Sequence, residues 1–339
     1  MCKGHIYVMM RNYEERPRQR ARASLMACKT RQERGRKPMS QLVTLLGTIF
    51  ILMITGLVVK KSGILGASGQ RVLTDLVLNL VLPCNIITSF EVSFNENTLK
   101  SFAEILIISI VLQLCCMLLG RIIYPKKNRD RWKCLYYGTV CSNAGFLGNP
   151  IAEGVFGPFG LALASVYLIP QRIVMWSSGI SVFSEAHDVK KILRKVCLHP
   201  CILACVVGLF LMLSGLRLPS ALDASVSAIG SCNTALSMMA VGMILADLKP
   251  KEFIDRDVAF YTLVRLVLIP LGVLIPCLLL RIDPTVTGVS VLLAAMPTGA
   301  TTSMLATEYH ADEKFATKMI VFSTVMSMIS TPVWSMILR

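Results

Sequence analysis

The chain has 339 residues, of which 54% are hydrophobic and only 16% are charged, and its formal net charge is +15. A soluble domain carries roughly 25% charged residues, so this composition excludes a soluble enzyme, a disordered chain and a secreted disulfide scaffold. With a mean hydropathy of +0.62, we expect a lipid bilayer to surround most of the chain.

The first 39 residues differ in composition from the rest. They hold eleven Lys and Arg against three Glu, a net charge of +8, and they contain no apolar run long enough for a secretory signal. We expect this basic prefix to be disordered. An apolar helix starts directly after it with MSQLVTLLGTIF, which supports the hypothesis that Met39 is the natural start and that residues 1–38 are not native.

Ten apolar segments follow, each near the roughly 20 residues that a spanning helix needs. They are residues 40–59, 72–90, 102–123, 134–156, 160–183, 197–215, 220–246, 258–280, 286–307 and 315–338. We expect proline to break four of them, at Pro83, Asn149–Pro150, Pro270 and Pro297, because it removes a backbone hydrogen bond. Freed backbone groups are tolerated in a membrane only beside protein or water, so these breaks indicate a cavity.

The segments divide into two corresponding halves, residues 40–183 and 197–339, joined by the linker 184–196. Each half has five segments, and in each half the fourth is short, polar and broken by proline. An odd number of helices inverts the second half relative to the first. We therefore predict an all-α integral membrane protein of ten transmembrane helices in two inverted five-helix repeats, with broken helices 4 and 9. This pattern indicates a secondary-transporter site near the membrane midplane.

The basic residues outside the prefix predict the orientation of these helices. One side of the membrane holds eighteen Lys and Arg, and the other holds four. By the positive-inside rule, the side with eighteen is cytoplasmic, and both ends of the ten-helix core lie outside. We expect an inner or plasma membrane location. The eleven positive charges of the prefix conflict with this orientation, which adds to the case for Met39.

Polar residues gather at the two breaks predicted in segments 4 and 9. The predicted substrate-binding residues are Asn143, Asn149, Pro150, Pro297, Thr298, Thr301 and Arg172. Amides and charges are expensive at membrane depth unless they are used. A helix that starts near Pro150 presents free N–H groups to an anion, and Arg172 can bind a carboxylate with two hydrogen bonds. Packing of glycine-rich helices and hydrogen bonds of Ser and Thr within their own helix are the alternatives.

Other polar groups in the segments are weaker candidates. Asn79, Asn85, Asn233 and Glu153 could line the same cavity, although helix–helix hydrogen bonding explains the asparagines equally well. Arg265 lies eight residues from a polar loop, so we expect its side chain to reach the membrane surface. The chain has no GxxxxGK, HExxH or GxGxxG motif, and its basic residues lack interleaved aromatics. We therefore expect no enzyme activity, cofactor, metal or nucleic acid.

Three stretches resemble the auxin efflux carrier family, which groups malate and malonate permease-like proteins with plant auxin carriers. They are SNAGFLGNPIAEGVFG in segment 4, GLVVKKSGIL after the first helix and AAMPTGATTSMLA in segment 9, and the resemblance covers residues 40–338. It implies a scaffold domain of helices 1, 2, 6 and 7. It also implies a transport domain in which helices 4 and 9 cross at Pro150 and Pro297, with Asn149 at the polar crossover position.

Family members move organic anions, often carboxylates, by an elevator-like alternation. The long cytoplasmic loop of the plant carriers is absent here, so auxin is a poor substrate guess. We interpret the chain as a secondary transporter of a small organic anion, with that anion and the bilayer as partners. A sodium-coupled symporter of the bile-acid type and a ligand-sensing membrane receptor are the alternatives. The coupling ion and the oligomeric state stay open, with a homodimer among the possibilities.

Overall fold

The computed structural model describes residues 39–91, 96–175, 177, 180–183, 198–246 and 255–338. Its helices are α1 (Met39–Lys61), α2 (Ala67–Leu76), α3 (Leu82–Ser89), α4 (Glu96–Ile122), α5 (Arg129–Val140), α6 (Asn149–Val174), α7 (Ile180–Phe183), α8 (Pro200–Ser214), α9 (Ser220–Ser231), α10 (Asn233–Leu245), α11 (Arg256–Leu263), α12 (Ile269–Leu279), α13 (Pro284–Ala294), α14 (Thr301–Glu308) and α15 (Glu313–Ile337). Within these residues one isolated β-bridge is the only non-helical pairing, which confirms the all-α prediction. The predictions for residues 1–38 and for the linker 184–196 lie outside the described residues.

The contacts of the chain divide it into Met1–Thr44 and Leu45–Arg339, and the packing described below is that of the second unit. Six helical stretches in the described residues are long and apolar enough to cross a membrane: Ser68–Ser89, Glu96–Ile122, Ala144–Val174, Ser220–Leu245, Arg256–Leu279 and Glu313–Ile337. Two shorter apolar helices, α8 and α13, accompany them. Large Leu, Ile and Val side chains remain exposed on these helices, as a surface in contact with lipid tails requires. The protein is therefore a multi-pass membrane protein.

Three of the four prolines do not break their helices, so our prediction for Pro83, Asn149–Pro150 and Pro270 is wrong. Each of these prolines follows a π-helical stretch that ends two residues earlier. The stretches are Val77–Val81, Ala144–Gly148 and Val264–Leu268. The residue before each proline donates its N–H five residues back, to the carbonyls of Val77, Ala144 and Val264. A π turn leaves one carbonyl without an intrahelical donor, so a proline, which has no N–H, fits directly after it.

The chain does break at residues 141–143 and again at residues 295–300, between α13 and α14. The second break contains Pro297, as predicted. The first break lies ahead of Asn149 and Pro150, which belong to the first turn of α6. The helical chain that follows the first break therefore starts at Ala144, and the polar stretch of segment 4 is divided between a break and a helix start.

The long helix α6 contains a reversal of the chain at Gly157. Its φ is +72° and its ψ is −167°, a conformation open to glycine but strained for other residues. A Cβ atom built on Gly160 would lie 2.7 Å from the carbonyl oxygen of Ala152. Residues eight apart in a straight helix are about 12 Å apart, so the chain folds back at Gly157. The reversal falls between the predicted segments 4 and 5.

A cluster of one arginine and two aspartates holds the starts of three helices together. Asp255 caps α11 with one carboxylate oxygen, and Asp312 caps α15 in the same way. The second oxygen of each accepts a hydrogen bond from Arg131 in the first turn of α5, over 3.3 Å in both cases. One guanidinium thus ties together the starts of α5, α11 and α15, the helices that approach the two breaks.

Candidate functional site

The two breaks lie side by side and are joined by their backbones. Ser142 and Thr298 form an antiparallel bridge. The N–H of Asn143 donates to the carbonyl of Pro297 over 2.7 Å, and the N–H of Gly299 donates to the carbonyl of Cys141 over 3.3 Å. Both bridged residues are buried. The structure therefore brings together the two polar stretches that the sequence places in different halves of the chain.

The end of α5 at the first break is held by four different partners. The last carbonyls of a helix have no partner within it and must find one elsewhere. Here the carbonyls of residues 138–141 accept, in order, from Tyr261 Oη (2.8 Å), Arg265 Nη1 (2.9 Å), Gln113 Nε2 (2.9 Å) and the N–H of Gly299 (3.3 Å). The break is thus a built feature of the protein and not a frayed helix end.

Arg265 contacts both breaks. Its Nη1 donates to the carbonyl of Thr139, and its Nε donates to the carbonyl of Met296 over 3.0 Å. The side chain is only 3% exposed, so our expectation that it reaches the membrane surface is wrong. It lies on the π-helical stretch Val264–Leu268 and points inward. Its charge within an apolar segment was the sequence signal for this role.

The helices that follow the breaks also hold them. Gln171 of α6 donates to the carbonyl of Ser142 and accepts from the Ser142 hydroxyl. Ser323 of α15 accepts from the N–H of Thr298 over 3.2 Å, and the hydroxyls of Thr298 and Tyr261 lie 2.5 Å apart. No role for Gln171, Ser323, Tyr261 or Gln113 is predicted from the sequence.

One buried amide in the first turn of α6, after the first break, has no partner. Asn149 has no exposed surface, and neither its Nδ2 nor its Oδ1 makes a hydrogen bond. The helical stretches that start at Ala144 and Thr301 have no side-chain cap. Buried amides are nearly always hydrogen-bonded, so an amide without a partner indicates a place that a ligand can occupy.

The other predicted site residues are distributed as follows. Thr301 is half-buried, and its hydroxyl accepts from Tyr137 Oη over 3.4 Å. Pro150 is buried beside Asn149. Arg172 is buried and its Nη1 has no hydrogen-bond partner. Its charge acts on His199 at the start of α8, and burial together with Arg172 lowers the pKa of His199 to about 4.

The four residues proposed to line the cavity have different surroundings. Asn233 of α10 donates to Asn85 of α3 over 3.1 Å, which is a helix–helix hydrogen bond. Asn79 is exposed and donates to the carbonyl of Asp75 within its own helix. Glu153 is half-buried. Among the described residues, no three His, Cys, Asp or Glu side chains come close enough to hold a metal ion.

Residues 41–335 match the sequence profile of a family described as "Membrane transport protein", which is the auxin efflux carrier type. The chain belongs to this family. Uncharacterized transporters of Methanothermobacter thermautotrophicus and Methanocaldococcus jannaschii are 26% and 25% identical to it over 301 and 303 residues. The uncharacterized transporter YfdV of Escherichia coli K12 is 22% identical over 304 residues. Each alignment covers 86% of this chain and 96% of the relative.

Membership of the membrane transport protein family makes this chain a transporter and not an enzyme. Buried polar groups meet at the paired breaks, where the guanidinium of Arg265 and the hydroxyls of Thr298 and Tyr261 are hydrogen-bonded. The unpartnered amide of Asn149 lies in the first turn of the helix that follows the first break. Ligand sites of membrane transporters are formed by broken helices of this kind. We therefore take the paired breaks as the candidate substrate site.

Proposed function

We propose that this chain is a secondary transporter of a small organic anion, a carboxylate, which binds at the paired breaks. The observation that carries the proposal is the unpartnered amide of Asn149, in the first turn of the helix that follows the first of two joined breaks. Its Nδ2 can donate to a carboxylate oxygen, as can the uncapped N–H groups at the helix start of Ala144. Thr298, Thr301 and Asn143 complete the polar surroundings in this proposal.

The charge of the site favours an anion. Arg265 is buried, and the partners that its hydrogen bonds reach are neutral carbonyl groups. Its hydrogen bonds reach no carboxylate, so its charge is offset by the partial negative charges of two helix ends and by no full negative charge. The proposal keeps Arg172, whose Nη1 has no hydrogen-bond partner, as a second cation for the substrate.

The proposed architecture is the ten-helix arrangement of two inverted repeats, residues 40–183 and 197–339. The contacts at the breaks support it because they correspond between the halves. In each half a side chain from the helix that precedes the broken helix donates to a carbonyl at the break, from Gln113 to Val140 and from Arg265 to Met296. In each half a polar side chain from the segment that follows the broken helix also holds the break, Gln171 beyond Gly157 in the first half and Ser323 of α15 in the second.

In the proposed mechanism the paired breaks and their supporting helices move as one body against a scaffold. The scaffold consists of α1, α2 with α3, α8, and α9 with α10, which correspond to helices 1, 2, 6 and 7. The protein lies in the inner or plasma membrane. The loops rich in Lys and Arg face the cytoplasm, and the ends of the ten-helix core face outward. Movement of the body exposes the anion to each side in turn.

Reconstitution in liposomes tests the transport proposal. Uptake of radiolabelled malate, malonate and related acids is measured with a proton gradient, with a sodium gradient and without either, against liposomes that lack protein. Saturable uptake of at least one anion is the expected result. Strict dependence on sodium supports the symporter alternative, and the absence of saturable uptake for every acid contradicts the carrier proposal. Light scattering on the purified protein distinguishes a homodimer from a monomer.

A further inference from the structure

The geometry points to Arg265 as the residue that positions the candidate site: one guanidinium holds the ends of both broken helices and keeps the two breaks paired. This positioning role goes beyond the proposed function. It rests on that proposal in one respect only, that the paired breaks are a substrate site. The two bonded carbonyls belong to Thr139, in the last turn of α5, and to Met296, two residues past the end of α13. This one side chain thus adds to the backbone bridge that joins the two breaks.

The chemistry of the contact suits arginine specifically. A helix C-terminus carries a partial negative charge, and here two of them approach the same point. The guanidinium is planar, stays protonated and presents several N–H donors in a fixed fork, so it can serve two carbonyls at once. A lysine ammonium keeps the charge but is a single point on a flexible stem. Glutamine has two N–H donors but no charge.

The location of Arg265 explains why its loss should act on the breaks first. Its two carbonyl partners lie directly beside the backbone bridge, since Thr139 precedes Cys141 by two residues and Met296 precedes Pro297. The bridge itself consists of two N–H donors, from Asn143 and Gly299. Without Arg265, two buried carbonyls lose these donors and the backbone bridge loses the side chain that reaches both helix ends, so we expect the bridge to open more often.

Hydrogen exchange measures this directly and needs no substrate. We expect Arg265→Gln to increase the exchange rates of the Asn143 and Gly299 amides at least tenfold in purified protein in lipid nanodiscs, followed by mass spectrometry of peptides that cover residues 141–147 and 296–302. Arg265→Lys should give a smaller increase, because the charge is retained. Arg131→Gln is the matched control, since Arg131 also bridges helix ends but at their starts. It should leave the bridge amides unchanged.

Two results would overturn the positioning role. Unchanged exchange of the bridge amides in Arg265→Gln shows that the breaks stay paired without the guanidinium. An equal increase in α9 and α10, which lie on the scaffold, shows that Arg265 supports folding in general and not the breaks. Uptake assays provide an independent measurement. We expect Arg265→Gln to raise the KM for a transported anion by a larger factor than it lowers the maximal rate. Opened breaks in a protein that transports none of the acids would leave the positioning role standing and remove the transport proposal.

Discussion

Gln171 and Ser142 exchange two hydrogen bonds. Gln171 Nε2 donates to the carbonyl oxygen of Ser142 over 2.8 Å, and the Ser142 hydroxyl donates to Gln171 Oε1 over 3.1 Å. Both residues are buried. Because the amide uses a donor and an acceptor on the same partner, it fixes the orientation of the break as well as its position. The first break is therefore tied to the helix that follows Gly157.

Replacement of Gln171 by leucine should loosen this break. The variant leaves the Ser142 carbonyl buried without that donor, a loss of about 1–3 kcal/mol in the free energy of unfolding. We expect a lower melting temperature in a thermal-shift assay and at least a tenfold loss of anion uptake. Asn79→Leu is the control, because it makes the same kind of change at an exposed amide and should alter neither quantity. Wild-type uptake in Gln171→Leu would show that this clamp is not required.

Composition was sufficient to predict the membrane-spanning character, and the resemblance to the auxin efflux carrier family implied that the two polar stretches cross. Long apolar runs leave few structures besides helices in a bilayer, and polar residues within them are costly enough to mark a site. Pro297 lies in a true break, and the bridge between Ser142 and Thr298 joins the two predicted stretches. The membrane-spanning prediction depends on composition over many residues, which local geometry cannot reverse.

The position of the first break and the role of Arg265 could not be predicted in the same way. Pro150 implies a lost hydrogen bond, but a π turn absorbs that loss and moves the break to residues 141–143. Whether an arginine reaches the membrane surface or the interior depends on its helix face, and each residue turns that face by about 100°. The same rotation of about 100° per residue places Gln171 on the helix face that contacts Ser142 and places its neighbour Arg172 on a different face.

Asn149→Ala should abolish uptake without destabilising the protein. The side chain makes no hydrogen bond, so its removal leaves no partner unsatisfied, and we expect a melting temperature close to that of the wild type. Asn233→Ala is the matched comparison. It removes the hydrogen bonds to Asn85 and Ser237, so it should lower the melting temperature and retain uptake by the remaining folded protein. Normal uptake in Asn149→Ala would remove this amide from the proposed site.

Two glycines set the distance between α1 and α10. A Cβ atom on Gly56 would overlap the carbonyl of Met239, and one on Gly242 would overlap the carbonyl of Met53. Gly56→Ala should therefore separate the helices and lower the melting temperature by several degrees. Gly47 on the same helix has no atom within 4 Å of its Cβ position. Gly47→Ala should be neutral or should stabilise by up to about 1 kcal/mol, since alanine favours helix. Equal melting temperatures for the two variants would contradict the close packing.

His199 makes the start of α8 sensitive to pH. Its Nδ1 accepts a hydrogen bond from the N–H of Cys201 over 3.3 Å, which is possible only while that nitrogen carries no proton. Burial and the nearby charge of Arg172 lower the pKa of His199 to about 4, whereas an unfolded histidine titrates near 6.5. The folded state therefore favours the neutral ring. The stabilisation is complete above pH 6.5 and is lost as the pH falls from 6.5 towards 4.

His199→Asn should remove this dependence and keep the cap. Asparagine is a preferred residue at this position, and its side-chain oxygen accepts a hydrogen bond without titrating. We expect the melting temperature of the wild type to fall relative to that of the variant between pH 6.5 and pH 4, and the two to run parallel above pH 7. Because other groups titrate in both proteins, only the difference between the two curves reports on His199. A constant difference from pH 4 to pH 8 would mean that the ring does not cap α8 in its neutral form.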